Sequence, residues 1–525
     1  MDRIVVAVML LCSSLLAQSQ PKFDGQSWWN YVKVLAADDM EGRETGSEGL
    51  RKAEAYVVQQ LQKDGLPAAG SNGYYQPVKL RSKAIDESQS SITLVRNGKD
   101  EPLVLGEDAM FSTSVDLAPE VNAPLVFVGY GLRVPEAKYD DFAGQDVRDK
   151  VAVLIAGSTS DMSSALAAHY QSTAERRKAL MDAGALGTIY IPNPASMDIP
   201  WSRMRLARTR PSMALADPAL NDAAGVKIAV IFNPERAEKL FEGSGHTFAE
   251  IAALAKDRKP MPHFPLQVSL KSKAKMTVAE VESANLVAKL PGSDPKLKDE
   301  YVVLTAHIDH LGVGEPINGD KIYNGAMDNG SGSAVLLDLA NALSKVKLRR
   351  SLLFVWVTAE EKGLLGSRYF AANPTVPKKH IVADLNTDMF LPIFPMKSVT
   401  VYGLAESDLG DMATKVAEQQ GLRVHPDPEP LRNAFIRSDQ YSFIRQGVPS
   451  LAMKVGFEPN SPEAAKAKQW LTQRYHAPSD DTNQPVDLEA AGKFEDVLSS
   501  LTIMVANADE RPRWKQESFF RRFAK

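Results

Sequence analysis

The chain has 525 residues, 44% of them apolar and 24% charged, a composition that buries a sizeable core and excludes a dominantly disordered state. Lys and Arg number 61 against 65 Asp and Glu, and the resulting charge of −4 supplies no basic field for gripping phosphates, so nucleic acid is not an expected partner. At roughly 150 residues per domain, the length admits about two to four domains.

The stretch from Ile4 to Ala17 is apolar, has the length of a secretory h-region and is too short to span a bilayer comfortably. Arg3 precedes it, and Ala17-Gln18-Ser19 forms a small-x-small cleavage site. The sequence therefore predicts a signal peptide over 1–19 and an exported protein, periplasmic or extracellular, with no stable membrane span after cleavage. The single cysteine, Cys12, lies inside this stretch, so the mature chain has neither disulfides nor thiolate metal ligands. Any metal must sit on His, Asp and Glu.

Helical spacing begins at Trp28–Leu35. A polar loop, Asp38 to Ser47, leads into a helix over Glu48–Asp64 that stops at Gly65. Strand-like alternation follows at Gln76–Leu80, Ser91–Val95 and Leu103–Leu105. From about Ala123 the apolar runs Leu125–Val128, Val151–Ile155 and Thr188–Ile191 flank a helix at Ala174–Ala183, which predicts a compact βα module over 121–268. Pro- and Lys-rich sequence at Lys259–Pro265 and Lys271–Lys275 marks its expected exit.

From Ser283 onward strands and helices alternate strongly. Strands are predicted at Tyr301–Ala306, Leu352–Thr358, Ile381–Leu385, Val399–Tyr402 and Ser450–Val455. Helices are predicted from Ser331 to about Val346 and at Leu364–Ala372, Ser407–Gln420, Asp439–Gln446 and Leu488–Asn507. Strands joined by crossover helices predict an α/β fold with a mostly parallel twisted sheet and helices on both faces. The basic, aromatic tail Trp514–Phe523 is expected to pack.

In such a sheet ligands gather beyond the carboxyl ends of the strands. The predicted strands there end in His307-Ile308-Asp309-His310, in Ala359-Glu360-Glu361, and in Asn386-Thr387-Asp388, with the turn Asn324–Gly332 between the first two. Imidazole and carboxylate from several loops are what a thiolate-free zinc site recruits. His307 and Asp309, two apart on an extended segment, suit a metal-bound imidazole whose other nitrogen is held by a carboxylate. Of the adjacent Glu360 and Glu361, one can bind metal while the other acts as a base. His310 is not required by the metal count, and His169, His246, His263, His380 and His425 lie outside every motif.

The strings AHIDHLG, NGAMDNGSG, TAEEKGLLGS, NTDM, RSDQYSFIRQGVPSL and YHAPSDD, in this order over Ser283 to Asp481, resemble the aminopeptidase Y family of co-catalytic zinc metallopeptidases. That superfamily includes leucyl aminopeptidases, glutamate carboxypeptidase II and the transferrin receptor. LAADDMEGRETGSEG looks like its opening segment. The resemblance implies that His307 and Asp388 bind one zinc, that Glu361 and His476 bind a second, and that Asp328 bridges the two. It makes Glu360 the general base toward a metal-bound water and Asp309 the carboxylate behind His307. The module over 121–268 is similar to a protease-associated domain inserted between an N-terminal part (20–120) and the main part (269–525) of the catalytic domain. Two positions depart from the family's habit: Gln440 stands where a His is common, and Met327 where an Asp is. Arg437, Ser438 and Tyr441 are candidates for the pocket lining, whereas Phe443 reads as core. The expected activity is removal of N-terminal residues from peptides with a free amino end. The alternatives are a carboxypeptidase or dipeptidase of the same superfamily and a non-catalytic binding protein on the same scaffold.

Overall fold

The computed structural model describes residues 21–223 and 225–524; the expected signal peptide over 1–19 lies outside the described residues. The larger of its two main sheets has nine strands, which we label β1 (Tyr75–Ile85), β2 (Ser212–Leu215), β3 (Met276–Leu290), β4 (Tyr301–His307), β5 (Ser351–Val357), β6 (Ile381–Asn386), β7 (Ser398–Tyr402), β8 (Arg423–His425) and β9 (Ser450–Val455). Their spatial order is β2-β1-β3-β5-β4-β6-β9-β7-β8.

The expectation of a mostly parallel sheet needs correction. Four of the eight pairings, β5–β4, β4–β6, β6–β9 and β7–β8, are parallel, and the other four are antiparallel. The parallel centre arises where helices carry the chain over the sheet, and the antiparallel flank arises because β1 and β3 form one long ribbon, from Ile85 opposite Met276 to Tyr75 opposite Leu286. β4, β5 and β6 are buried along their whole lengths, as their largely apolar runs require.

Helices α1 (Gln26–Leu35), α2 (Glu48–Lys63), α3 (Ser331–Leu343), α4 (Leu365–Ala372), α5 (Asp408–Gln419), α6 (Gln440–Ile444), α7 (Pro462–Gln473) and α8 (Leu488–Asn507) cover the sheet. Alternation along the strands divides the core: Leu304, Phe354 and Trp356 pack on one face with Trp28, Leu337 and Phe494, while Val303 and Val355 pack on the other with Phe370 and Phe443. Trp28 donates its indole N–H to Ser331 O at 2.9 Å, and the Phe390 and Phe494 rings stack at 4.2 Å.

Between β1 and β3 the chain builds a second, eight-stranded sheet with its own core around Phe127, Phe232 and Phe241. This module is wider than the 121–268 expected. Ser91–Arg96, Lys99–Pro102 and Ala109–Phe111 belong to its sheet, and the Lys-rich stretch read as an exit is instead the strand Phe264–Lys273. The chain leaves the larger sheet at Ile85 and rejoins it at Met276, so 86–275 is one excursion, from which only β2 returns to pair with β1. The tail packs as expected, with Trp514 and Phe520 buried against Phe435 and Ile444.

Among the described residues no helix is long and apolar enough to cross a membrane. Phe494→Ala removes a stacked ring from the centre of α8 and is expected to cost about 3–5 kcal/mol, read as a shift in the midpoint of urea unfolding.

Candidate metal centre

The tips of β4, β5 and β6 and two connecting turns converge on one hollow. His307 is the last residue of β4; its carbonyl accepts a hydrogen bond from Ser333 Oγ at 2.9 Å. Beyond β5, Ala359 takes a left-handed conformation (φ 55°) that turns the chain sharply into Glu360 and Glu361. Asp388 follows β6. Gly325 (φ 61°) opens the turn that carries Asp328, and any side chain there would strike Asp328 O at 2.1 Å. His476 itself is left-handed (φ 54°), beyond the end of α7.

All five residues expected to bind metal come together. His307 Nε2 lies 3.4 Å from Asp328 Oδ1 and 3.4 Å from Asp388 Oδ1. His476 Nε2 lies 3.2 Å from Asp328 Oδ2 and 3.3 Å from Glu361 Oε2. Two donors about 2.0–2.1 Å from a tetrahedral ion stand roughly 3.3 Å apart, the separation these pairs show. Asp328 gives one oxygen to each set. Asp328 Oδ2, Glu361 Oε1 and Asp388 Oδ1 are buried without a hydrogen-bond partner. Such orphaned acceptors fit a donor set built for cations.

Two other side chains enter the same compass. Glu360 groups with His307 and Asp388, and His310 groups with Asp328 and Glu361, each set having its atoms within 4.8 Å of one another. His310 Nδ1 lies 2.7 Å from Glu361 Oε1 and 3.8 Å from Asp328 Oδ2, and among the described residues neither ring nitrogen has an aligned hydrogen bond. The sequence reading set His310 aside because five ligands already sufficed; only its position two residues beyond Ile308 hinted that it stays near the site.

Asp309 differs in detail from expectation. The hydrogen-bond partner of His307 Nδ1 is the main-chain carbonyl of Asp309 at 3.1 Å, and the Asp309 carboxylate stands 4.0 Å off. Its oxygens instead accept from Glu360 N at 3.0 Å, Glu361 N at 3.4 Å and Thr45 Oγ1 at 3.0 Å. Asp309 thus fixes the orientation of the Glu360–Glu361 turn, while the imidazole is set by a peptide group.

Two supporting residues were not singled out in the sequence. Arg43 is fully buried and donates to Leu35 O, Asn324 O, Gly325 O and Ile308 O at 2.5–2.9 Å, tying the opening segment to both the β4 tip and the Asp328 turn. The Asp480 carboxylate, four residues past His476, accepts from Met327 N at 2.9 Å and Asp328 N at 3.0 Å. Arg43 sits in the opening segment and Asp480 in YHAPSDD, but neither has a donor spacing that marks a support.

The charges act on one another strongly. Burial, reinforced by Asp439 and Glu361 and opposed by His307, pushes the Glu360 carboxyl well above the usual range. Burial also works to raise Glu361, but His476 and His310 overcome it and hold that carboxyl well below its ordinary value. For His476, burial opposes protonation and the Glu361 and Asp328 carboxylates outweigh it, lifting the imidazole to about 10. Since imidazole and carboxylate bind metal only when deprotonated, cations entering here displace protons.

The excursion 86–275 forms part of the rim. Asp198 accepts from Arg432 Nε at 2.6 Å and Arg437 Nη1 at 2.5 Å. Arg210 stacks over Tyr323 at 4.1 Å, and His169 Nδ1 meets the Tyr441 hydroxyl at 2.8 Å. Tyr441 and Ser438 are buried, Tyr441 in contact with the insert and Ser438 with Asn386, while Phe443 lies in the core as expected. Gln440 is also buried and holds Asn386.

Residues 285–502 match the profile of Peptidase family M28. Aminopeptidase Y of Saccharomyces cerevisiae is 28% identical over 271 residues, covering 49% of this chain and 47% of that protein. Leupeptin-inactivating enzyme 1 of Streptomyces exfoliatus is 33% identical over 189 residues, covering 35% of this chain and 39% of that protein. Leucine aminopeptidase 2 of Trichophyton equinum is also 33% identical, covering 36% of its length. The chain thus spans less than half the length of these curated relatives. Among solved structures, the aminopeptidase from Aneurinibacillus sp. strain AM-1 superimposes with a TM-score of 0.57 at 20% identity, over 93% of this chain and 96% of that one. The zinc aminopeptidase BSAP from Bacillus subtilis gives 0.50 at 18% identity, over 94% and 98%. At these identities the structures establish a shared fold.

Arg43→Met leaves the carbonyls of Leu35, Ile308 and Asn324 without that donor, while Gly325 O keeps its bond from Gly330 N at 3.0 Å. It is expected to destabilise the chain by about 3 kcal/mol or more, measured by chemical denaturation of the metal-free protein.

Proposed function

The chain carries a Peptidase family M28 domain, and from that premise we propose that it is an exported aminopeptidase that holds two zinc ions and removes N-terminal residues from peptides. What supports the two-ion reading above all is the sharing of Asp328 between His307 with Asp388 and His476 with Glu361, at donor separations of 3.2–3.4 Å. His307, Asp388 and one oxygen of Asp328 would hold one ion; His476, Glu361 and the other oxygen would hold its neighbour. Zinc bound there supplies Lewis-acid polarisation of the scissile carbonyl and lowers the pKa of water toward about 7.

The protein's own groups do the rest. Glu360, held by Asp309 through its main-chain N–H, takes the proton of the attacking water on its carboxylate and passes it to the leaving amine nitrogen. We read the insert 86–275 as a protease-associated domain that shapes substrate access, supported by the contacts of Asp198 and Arg210 along the rim. The leader-like stretch Ile4–Ala17 supports export, to periplasm or medium.

Glu360→Gln is expected to retain both zinc ions by elemental analysis while kcat falls about 10²–10⁴-fold; unimpaired turnover refutes the base. Asp328→Asn is expected to lose both ions, since it serves each. A panel of aminoacyl reporter amides separates the reading from a carboxypeptidase: an aminopeptidase rejects every member whose amino end is blocked, and chelation abolishes activity on the rest.

A further inference from the structure

Beside the candidate metal centre, on the Asp388 side, the sheet presents a cation that has no carboxylate within ion-pair distance among the described residues. β9 runs parallel to β6 with Ala452 opposite Asn386; Lys454 lies two residues further along β9, opposite Thr400 of β7, and Asp388 lies two residues past Asn386, where β6 has ended. The Lys454 ammonium lies 5.9 Å from the Tyr402 ring, and among the described residues it has no hydrogen bond and no ion pair within 4.0 Å. The neighbouring cations are already matched: Arg432 and Arg437 share Asp198 at 2.6 and 2.5 Å, and Arg432 also reaches Glu429 at 3.0 Å. Asp427 shares this corner but makes no ion pair with Lys454.

Burial works against the charge of Lys454, as do Arg432 and Arg437, and Asp388 and Asp328 of the centre oppose them. With divalent ions bound, those oxygens would no longer offset the cost of burying the Lys454 charge. A half-buried ammonium left this way calls for an anion, and the substrate is the group that can bring one.

We propose that Lys454 binds a carboxylate of the substrate, making this corner of the site select for peptides that carry an anionic group within reach of the cleaved bond. The group is either the terminal carboxylate of a dipeptide or an acidic side chain at the second residue. The inference rests on the peptidase reading and specifies its substrate class. Lys454 acts here in recognition and touches none of the reacting atoms.

Two peptide pairs with a common N-terminal residue test it on the zinc-loaded protein: a dipeptide against its C-terminal amide, and amidated dipeptides with Glu against Gln in second place. In at least one pair the carboxylate is expected to lower KM about tenfold or more, the value of a charge-assisted hydrogen bond. The pair that responds identifies the source of the anion. Lys454→Met and Lys454→Gln are expected to bring that KM ratio to about one, with Lys454→Arg restoring part of it, and thermal melting reports that each variant folds. A wild-type ratio near one in both pairs overturns the proposal, as does a ratio that survives in a folded Lys454→Met or Lys454→Gln protein. The same ratios are read as dissociation constants by calorimetry on the zinc-loaded Glu360→Gln protein. If no peptide is hydrolysed by the wild type, the peptidase reading fails while calorimetry still decides whether Lys454 selects carboxylates.

Discussion

Asp328, Glu360, Glu361, Asp388 and Asp309 all sit within one hollow at the tip of a buried sheet, and their mutual repulsion in a medium of low dielectric is the constraint around which the rest is arranged. Every element nearby helps to offset it. His307, His310 and His476 interleave with the carboxylates, Arg43 brings a permanently charged guanidinium underneath, and main-chain N–H groups of residues 327, 328, 360 and 361 point at Asp480 or Asp309. Even so, several oxygens remain without donors. The protein alone does not balance the hollow. Divalent cations would, and this ties the local chemistry of the site to the stability of the loops that form it.

The scaffold answers this need by dividing labour. The parallel centre of the sheet, wholly buried, gives rigid platforms from which His307 and the segments carrying Glu360, Glu361 and Asp388 project. The second ring of supports comes from far along the chain: Arg43 from the opening segment, Asp480 from the turn after α7, and Asp198 from the excursion. Positioning at the level a metal site demands depends on such outer contacts nearly as much as on the ligands.

The sequence alone made the core strands and the donor residues legible for a physical reason. Apolar runs such as Tyr301–Ala306 and Leu352–Thr358 are long enough to declare buried strands, and polar residues directly after them have few roles other than chemistry. β9 and α8 lie where apolar patterning places them. What was not legible shares a different cause. The length of β3 was hidden because its first half, Met276–Glu282, is mostly exposed, with ribbon pairing rather than core burial holding it. The antiparallel share of the sheet followed from the same omission. Helix α7 was missed because only Ala467 and Trp470 are buried in it. Asp309 was assigned to the imidazole on spacing, yet two residues along an extended segment also place its carbonyl there, and only coordinates distinguish the peptide oxygen from the carboxylate. Arg43 and Asp480 act through main-chain atoms, which leave no mark in residue spacing.

The short β2 comes back from the excursion to lie along β1 over four residues, Leu80 to Lys83 opposite Leu215 to Ser212. An unpaired β1 would offer a row of open peptide groups on which another molecule's backbone can zip. Among the described residues β2 covers that margin of β1 over Leu80–Lys83, which shortens the row of open peptide groups. A sheet whose outermost strand arrives with its own inserted module shortens that open margin only once both modules have formed. Protection from self-association is thereby coupled to completion of the whole molecule.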